Sequence, residues 1–211
     1  MNFQSQNKIN VITEHNINMS GMLRRFTQDF KHDLIKAINE FVKNSHDCYT
    51  REGFSKDDRQ IVIMVNFGKN YITEIAVLDF GGMNYFTLKK SFLHFFDEEA
   101  ARRLGNGELV PIDTFGGFGN GGKFSMIAAF NNSDLITFKD GYLSAMNFSN
   151  NLSYGFYEGF ENILLDEKYL PENLGISFPN LISRFGNRLH DGCTVVRGFH
   201  PIQKITNFIK F

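Results

Sequence analysis

The sequence lacks Trp and has only two Cys, four Pro and almost no net charge. Because Cys48 and Cys193 do not form a Cys-x-x-Cys pair, they argue against a zinc module or a disulfide scaffold and favour a reducing compartment. The 22 Lys and Arg against 23 Asp and Glu give a formal charge of −1, so no chain-wide field attracts nucleic acid or anionic lipid. No signal-peptide core and no run of about 18 apolar residues occurs. We therefore expect a cytoplasmic protein that does not enter a membrane.

The 211 residues are 42% hydrophobic and include 24 Phe. This length favours one domain, which we predict to span residues 1–211, with a core that needs neither disulfides nor metal. Most of the Phe residues are explained by filling that core. The 19 Gly are unevenly distributed, since seven of them lie between positions 105 and 122. We expect the chemistry of the protein in this glycine cluster.

The hydrophobic pattern predicts one long helix and two hairpins. Residues from about 27 to 48 have helical periodicity, with an apolar arc that should face the core, formed by Leu34, Ile35, Ile38, Phe41, Val42 and Ser45. Strand-like runs at 60–67 and 71–80 flank Gly68-Lys69-Asn70, which predicts a hairpin. Runs at 134–139 and 142–148 flank Asp140-Gly141 in the same way.

The remaining segments complete the predicted architecture. Residues 1–20 are interpreted as an arm or an edge strand, 87–103 as helical, 123–130 as the start of a buried helix and 193–199 as a strand. Hairpins separated by helices predict an α+β protein, a two-layer sandwich whose mixed, mostly antiparallel sheet is covered by helices on one face.

The glycine cluster matches a dinucleotide-binding motif only in its pattern of residues. Gly117, Gly119 and Gly122 satisfy the pattern, with Asp140 near the position of a ribose-binding acid. That pattern needs a strand leading directly into the loop, whereas Pro111 and a Gly-Asn-Gly turn precede this one. A dinucleotide-dependent oxidoreductase is therefore only a remote alternative.

Two phosphate-handling motifs fail for chemical reasons. A P-loop needs a hydroxyl after its Lys to hold magnesium, but Phe124 follows Lys123. Asp79-Phe80-Gly81 imitates the kinase metal-binding triplet, but in kinases the glycine loop precedes that triplet. Glycine-rich backbone amides and a helix starting near Lys123 still suit an anion such as a polyphosphate. A surface loop explains the glycines equally well.

Three polar residues share one face of the first predicted helix. Glu40, Asn44 and Asp47 are spaced by four and three, and two carboxylates with an amide oxygen suit a hard cation and a positioned water. An ordinary solvated helix face is the alternative. Another acid, Asp79, ends an apolar strand just before Gly81-Gly82-Met83, where it can hydrogen-bond a ligand that approaches the backbone or simply form a turn.

These residues resemble the motifs of the GHKL ATPases, the superfamily of gyrase B subunits, ninety-kilodalton heat-shock chaperones, MutL proteins, histidine kinases and MORC proteins. Segment 40–48, Glu-Phe-Val-Lys-Asn-Ser-His-Asp-Cys, resembles the N-box. Segments 79–83, Asp-Phe-Gly-Gly-Met, and 118–123, Phe-Gly-Asn-Gly-Gly-Lys, resemble the two Gly boxes, with 192–195 as a possible fourth motif. The residues of these segments are most similar to the motifs of the MORC and chaperone-like branch. Departures are the short first Gly box, Cys48 in place of Ala, and Cys193 in place of Thr.

The resemblance implies a Bergerat fold that binds and hydrolyses ATP with Mg²⁺. Glu40 is the expected general base, Asn44 the magnesium ligand and Asp79 the acceptor for the exocyclic amine of adenine. Lys123 is expected to hold the β- and γ-phosphates and to assist catalysis, and Thr194 or Cys193 to stand near Asp79 through a water. The other expected nucleotide contacts are Asp47, Gly81, Gly82, Met83, Gly117, Phe118, Gly119, Asn120, Gly121 and Gly122.

The resemblance also implies how such a domain works. Residues 84–122 are expected to form a lid over ATP, and the N-terminal arm at 1–20 to support an ATP-dependent homodimer. Hydrolysis then times a conformational cycle in a larger machine, which meets a DNA or protein client through other domains. The alternative is an ATP-gated binding module with little or no turnover.

Overall fold

The computed structural model describes residues 19–28, 30–31, 33–69, 71–95, 120–174 and 188–203. Its helices are α1 (Met19–Thr27), α2 (Leu34–Arg51), α3 (Tyr85–Leu93), α4 (Gly121–Ala128) and α5 (Leu170–Asn173), and residues 188–191 are also helical. Its strands are β1 (Ile61–Phe67), β2 (Ile72–Asp79), β3 (Phe130–Lys139), β4 (Tyr142–Ser149), β5 (Tyr154–Phe156), β6 (Ile163–Leu164) and β7 (Cys193–Pro201).

Helix α2 carries the residues of the predicted N-box. It starts after Asp33, whose side chain accepts a hydrogen bond of 2.8 Å from the Lys36 amide and so caps the helix. Leu34 and Phe41 are almost fully buried, as predicted, but Ile35 is 51% exposed. Because Ile35 lies about 100° round the helix from Leu34, it falls outside the buried arc, which is completed by Ala37, Cys48 and Tyr49.

The strands form one sheet in the order β1-β2-β7-β3-β4-β5, with β6 paired to β4, and every pairing of the described strands is antiparallel. Both predicted hairpins are confirmed, since β1 pairs with β2 and β3 with β4. Asp140 and Gly141 have φ angles of 53° and 83°, the left-handed conformations that a two-residue hairpin turn requires. The strand predicted at 193–199 is β7, which lies in the middle of the sheet between β2 and β3.

The predicted two-layer α+β sandwich is confirmed. On one face of the sheet, α2, α3 and α4 pack over alternate strand residues such as Ile75, Val77 and Leu135. The opposite face has a second core, which includes Leu78 and is covered in part by Leu170 of α5, Leu174 and Leu189. As expected from the composition, Phe dominates the largest fully buried side chains, which include Phe41, Phe80, Phe130, Phe138 and Phe148. Burying each such side chain contributes about 1.5–3 kcal/mol.

Several predicted helix boundaries are wrong. The helix predicted from about residue 27 to 48 is α2, which begins only after the Asp33 cap and ends at Arg51, while α1 ends at Thr27. The helix predicted at 123–130 ends at Ala128, since Phe130 already pairs with Pro201 as the first residue of β3. The helix predicted at 87–103 is α3, which ends at Leu93. Residues 96–103 and the predicted arm up to residue 18 lie outside the described residues.

Among the described residues, no helix combines the length and the apolar character needed to cross a membrane.

Candidate functional site

A small cavity lies between α2 and the helix-covered face of the sheet. Its volume is about 80 Å³, and its wall contains side chains of α2, α3, α4, β2, β3 and β7. The fold therefore brings the N-box helix, the first Gly box, the Lys of the second Gly box and β7 to one place. Six of the predicted site residues line the cavity: Asn44, Asp47, Asp79, Met83, Lys123 and Thr194.

Glu40 and Asn44 pack directly against the first turn of α4. A β-carbon at Gly121 would overlap the Glu40 carboxylate, and one at Gly122 would overlap the Asn44 amide. Glycine at both positions is what lets α2 and α4 approach this closely. The first N–H groups of a helix lack partners within the helix and carry the positive end of its dipole. An acid, an amide and a helix N-terminus thus share one end of the site, which we call the phosphate end.

Glu40 keeps some access to solvent at this end. Its side chain is 22% exposed, and its Oε1 accepts a hydrogen bond of 2.9 Å from Lys43 Nζ, one turn further along α2. Water can therefore reach the carboxylate at the place where it touches Gly121. A general base must lie within hydrogen-bond reach of the proton it removes.

Asp79 marks the other end of the cavity, which we call the base end. The residue is only 4% exposed, and its Oδ1 accepts a hydrogen bond of 3.1 Å from the Gly81 amide. The Ser45 hydroxyl and the Gly82 amide also donate to this carboxylate. Burial raises the pKa of Asp79 to about 6, although these hydrogen bonds and the positive charge of Arg51 oppose the rise. At neutral pH Asp79 is thus a buried, ionised acceptor.

The turn after Asp79 needs glycine for two different reasons. Gly82 has a φ of 66°, and a β-carbon there would overlap the Phe138 carbonyl oxygen. At Gly81 a β-carbon would overlap the Cys48 thiol, which also donates to the Gly82 carbonyl at 3.6 Å. Burial raises the pKa of Cys48 to about 12. The residue that departs from the N-box pattern is therefore a neutral thiol that packs the turn.

Thr194, and not Cys193, faces the cavity from β7. Thr194 is the register partner of Asp79 across β2 and β7, whereas Cys193 packs into the core on the opposite face. The Thr194 hydroxyl lies 3.2 Å from that of Thr137, which in turn accepts a hydrogen bond of 2.7 Å from the Met83 amide. These contacts tie β3, β7 and the first Gly box together at the base end.

Lys123 is engaged with α3. The residue is only 2% exposed, and its Nζ donates to the carbonyl oxygens of Ser91, at 2.8 Å, and His94. The same atom lies 5.0 Å from the centre of the Phe95 ring. The ammonium group thus stabilises the negative end of the α3 dipole. To reach a phosphate it must leave these carbonyls, and the cavity must widen, since ligand pockets commonly measure roughly 300–1,000 Å³.

The donor set at the phosphate end suits a hard metal ion that needs few protein ligands. Within the described residues, no group of three or more His, Cys, Asp or Glu is placed to hold a metal. Asn44, with Glu40 beside it, offers one or two oxygen ligands. Mg²⁺ commonly binds through one or two protein oxygens while substrate phosphates and water supply the rest. The residues therefore fit a magnesium ion that binds together with a phosphate.

Some of the predicted residues lie outside the described part of the chain or do not line the cavity. Gly117, Phe118, Gly119 and most of the predicted lid, residues 96–119, lie outside the described residues. Asn120 is buried directly before α4. The acid of the dinucleotide interpretation, Asp140, lies in the β3–β4 turn, and the described strands form no parallel pair, so they contain no βαβ unit of that type.

Three residues of the site were not predicted. The Tyr49 hydroxyl accepts a hydrogen bond of 2.8 Å from the Phe80 amide and donates to the Gln60 carbonyl, which fixes the chain after β2. Arg51 lines the cavity and follows Asp47 by four residues, so helical spacing alone could have revealed it. Thr137 could not be found in this way, because its position depends on the pairing of β3 with β7.

Comparisons with known proteins add a similarity of fold. No protein-family model and no curated protein matches the sequence. Among solved structures, the chain is similar to the crystal structure of the B-subunit of DNA gyrase from Myxococcus xanthus, with 12% identity and a TM-score of 0.45. The match covers 90% of this chain and 46% of that chain, so this chain spans about half the length of the gyrase subunit. A similarity of this size carries no conclusion about the chemistry of this chain.

Proposed function

We propose that this protein is a GHKL-type ATPase, which binds ATP with Mg²⁺ and hydrolyses it. One observation carries the proposal: Glu40 and Asn44 pack on the first turn of α4 while a buried, ionised Asp79 lies at the other end of the same group of elements. Anion-binding and amine-binding groups at opposite ends of one site suit a nucleotide. The MORC-like branch, the lid at 84–122, the homodimer, the cytoplasmic location and a DNA or protein client belong to the same proposal.

At the base end, Asp79 accepts a hydrogen bond from the exocyclic amine of adenine. Its carboxylate is a suitable acceptor because it is ionised at neutral pH and held in place by Ser45 and Gly81. Thr194 lies beside it and contributes a hydroxyl, and Met83 closes the same end.

At the phosphate end, the amides of Gly121 and Gly122 and the Lys123 ammonium bind the β- and γ-phosphates. Asn44 supplies an oxygen for the magnesium ion, which offsets the negative charge of the phosphates when bound. Lys123 reaches the phosphates after leaving the carbonyl oxygens of Ser91 and His94. Electrostatic positioning of this kind is most of what phosphoryl transfer requires from a protein.

Glu40 is the general base of the proposed reaction. It takes a proton from a water molecule whose oxygen attacks the γ-phosphorus, and the bond between that phosphorus and the bridging oxygen breaks to leave ADP. Lys43 Nζ lies 2.9 Å from Glu40 Oε1 and orients the carboxylate.

The proposal is tested by measuring ATP binding and phosphate release with the same purified protein. We expect saturable binding that requires Mg²⁺, together with hydrolysis that rises with protein concentration if a dimer is the active form. Binding without turnover at any concentration would favour the ATP-gated module. Thermal stabilisation by NAD and not by ATP would favour the dinucleotide-dependent enzyme.

Replacing Gly122 by Ala is expected to weaken Mg-ATP binding about tenfold or more without unfolding the protein. The new methyl group overlaps the flexible end of Asn44, so it displaces this side chain while Ala favours the helix by up to about 1 kcal/mol. Calorimetric titration and thermal unfolding separate the two effects. Gly155→Ala is the matched control, because its β-carbon meets no atom within 4 Å. Unchanged Mg-ATP affinity in Gly122→Ala would argue against Asn44 as the ligand.

A further inference from the structure

Arg51 extends the polar row of α2 to the base end of the cavity. It follows Glu40, Asn44 and Asp47 with spacings of four, three and four, so all four residues lie on one side of the helix. Arg51 is about 16 Å from Glu40 along the helix axis, at a rise of about 1.5 Å per residue. It lines the same cavity as Asp79 and Met83. Because Arg51 lies at the end of α2 away from Glu40, it is nearer to the base than to the phosphates of the proposed nucleotide.

The guanidinium group of Arg51 is buried without full hydrogen bonding. Its side chain is only 10% exposed, and its Nε is buried and donates no hydrogen bond within the part of the chain that the structure describes. The carboxylate oxygen Glu52 Oε1 lies 3.6 Å from this Nε, too far for a hydrogen bond. A buried donor without a hydrogen bond costs free energy, so an acceptor atom supplied by a ligand would be stabilised at this position.

The charge of Arg51 acts on the residue proposed to bind adenine. Its positive charge lowers the pKa of Asp79 against the larger effect of burial, and it acts on the buried Cys48 thiol in the same direction. A donor with a fixed positive charge and an ionised acceptor are thus close together at the base end. Such a pair can recognise a ligand edge that presents an acceptor next to a donor.

We propose that Arg51 is a base-reading residue, whose guanidinium donates a hydrogen bond to a ring nitrogen of adenine beside the amine bound by Asp79. This inference rests on the proposed ATP-binding function. Adenine fits the pair because its N6 amine donates while ring nitrogens N1 and N7 on either side accept. Guanine carries the acceptor oxygen O6 at the position of that amine, and this oxygen is repelled by the Asp79 carboxylate. Asp79 thus makes the site select adenine over guanine, and Arg51 makes it select adenine over purines that lack the ring acceptor.

Nucleotide analogues test this contact directly. The affinities of wild-type protein for ATP, 1-deaza-ATP, 7-deaza-ATP and purine riboside triphosphate are measured by calorimetry with Mg²⁺. We expect one of the two deaza analogues, the one without the contacted nitrogen, to bind about 10- to 100-fold more weakly than ATP, as for loss of a hydrogen bond to a charged group. The affinity of Arg51→Met for ATP should be lower than that of the wild type by the same factor. ATP should then bind to this variant no more tightly than that analogue does.

The remaining measurements distinguish the effect of Arg51 from the effect of Asp79. Purine riboside triphosphate, which lacks the amine, should bind to Arg51→Met more weakly than ATP by the same factor as in the wild type. This difference in affinity arises from the missing hydrogen bond to Asp79. Arg25→Met, on an exposed position of α1, is the control and should bind every nucleotide as the wild type does. Equal wild-type affinity for ATP and both deaza analogues would overturn the contact, as would an unchanged deaza disadvantage in Arg51→Met. The wild-type comparison needs no variant, and absence of ATP binding by the wild type would instead refute the proposed function itself.

Discussion

Replacing Glu40 by Gln is expected to lower the rate of ATP hydrolysis about 10²- to 10⁴-fold, the usual contribution of a positioned general base. Gln keeps the size of the side chain next to Gly121 but cannot take a proton from water. Binding of Mg-ATP should stay nearly unchanged, because Asp79, Asn44 and the α4 amides are untouched. Phosphate release under single-turnover conditions measures the first effect and calorimetry the second.

The matched control for this variant is Glu172→Gln. Glu172 is an exposed acid on α5, and α5 packs on the sheet face opposite the cavity, so hydrolysis should be unaffected. Wild-type hydrolysis by Glu40→Gln would contradict the assignment of the base. A parallel loss of binding and hydrolysis would give Glu40 a role in the ground state instead.

Replacing Asp79 by Asn is expected to weaken ATP binding about 10- to 100-fold or more, because a hydrogen bond to a charged acceptor is lost from a buried site. The Asn side chain has one oxygen for the Ser45, Gly81 and Gly82 donors, and its NH₂ group faces the adenine amine with a donor. The affinity for ATP, measured beside that of purine riboside triphosphate, checks the effect. If the variant kept its preference for ATP over the analogue without the amine, Asp79 would not be the adenine acceptor.

The same substitution should change how stability depends on pH. The pKa of Asp79 is raised from 3.8 to about 6 in the folded protein, so the folded state binds this proton more tightly than the unfolded state. Protonation therefore stabilises the fold as pH falls from above 6 to about 4. Over this range the unfolding free energy of the wild type, relative to Asp79→Asn, should rise by about 2 kcal/mol. Parallel pH curves for the two proteins would contradict a raised pKa.

The local elements of this fold could be predicted because their signals are local. The turn at Asp140-Gly141 acts through neighbouring backbone groups and joins β3 to β4 in the structure. The cap at Asp33 is also a local signal, but the periodicity extended the predicted helix past it to about residue 27. Ile35 shows the limit of periodicity, since it belongs to the apolar arc by sequence and yet lies beyond the edge of the contact with the sheet. The three-residue β5 and two-residue β6 are too short to have a period.

The candidate site could be assembled from the sequence only through motifs. Glu40, Asn44 and Asp47 share a helix face by spacing alone, but nothing local brings them to Gly121 and Gly122. That approach depends on the packing of α2 against α4. Likewise, the choice between Thr194 and Cys193 follows from the register of β2 and β7, because successive residues of a strand point to opposite faces.

The engagement of Lys123 with α3 was not predictable from the motif. The motif marks Lys123 as a phosphate ligand, whereas the folded chain gives its ammonium the Ser91 and His94 carbonyl oxygens. Lys123 can have both roles if a bound nucleotide competes with the α3 carbonyl oxygens for its ammonium group. The cavity of about 80 Å³ agrees with a site that has to open before it fills.

The central claim, a nucleotide site with Asn44 at one end and Asp79 at the other, is tested most directly by one titration. A non-hydrolysable ATP analogue with Mg²⁺ is titrated into the wild type, Asn44→Ala and Asp79→Asn, with circular dichroism confirming that all three are folded. We predict saturable binding at one site per chain in the wild type and loss of that binding in both variants. Unchanged affinity in both variants, or no binding by the folded wild type, would contradict the claim.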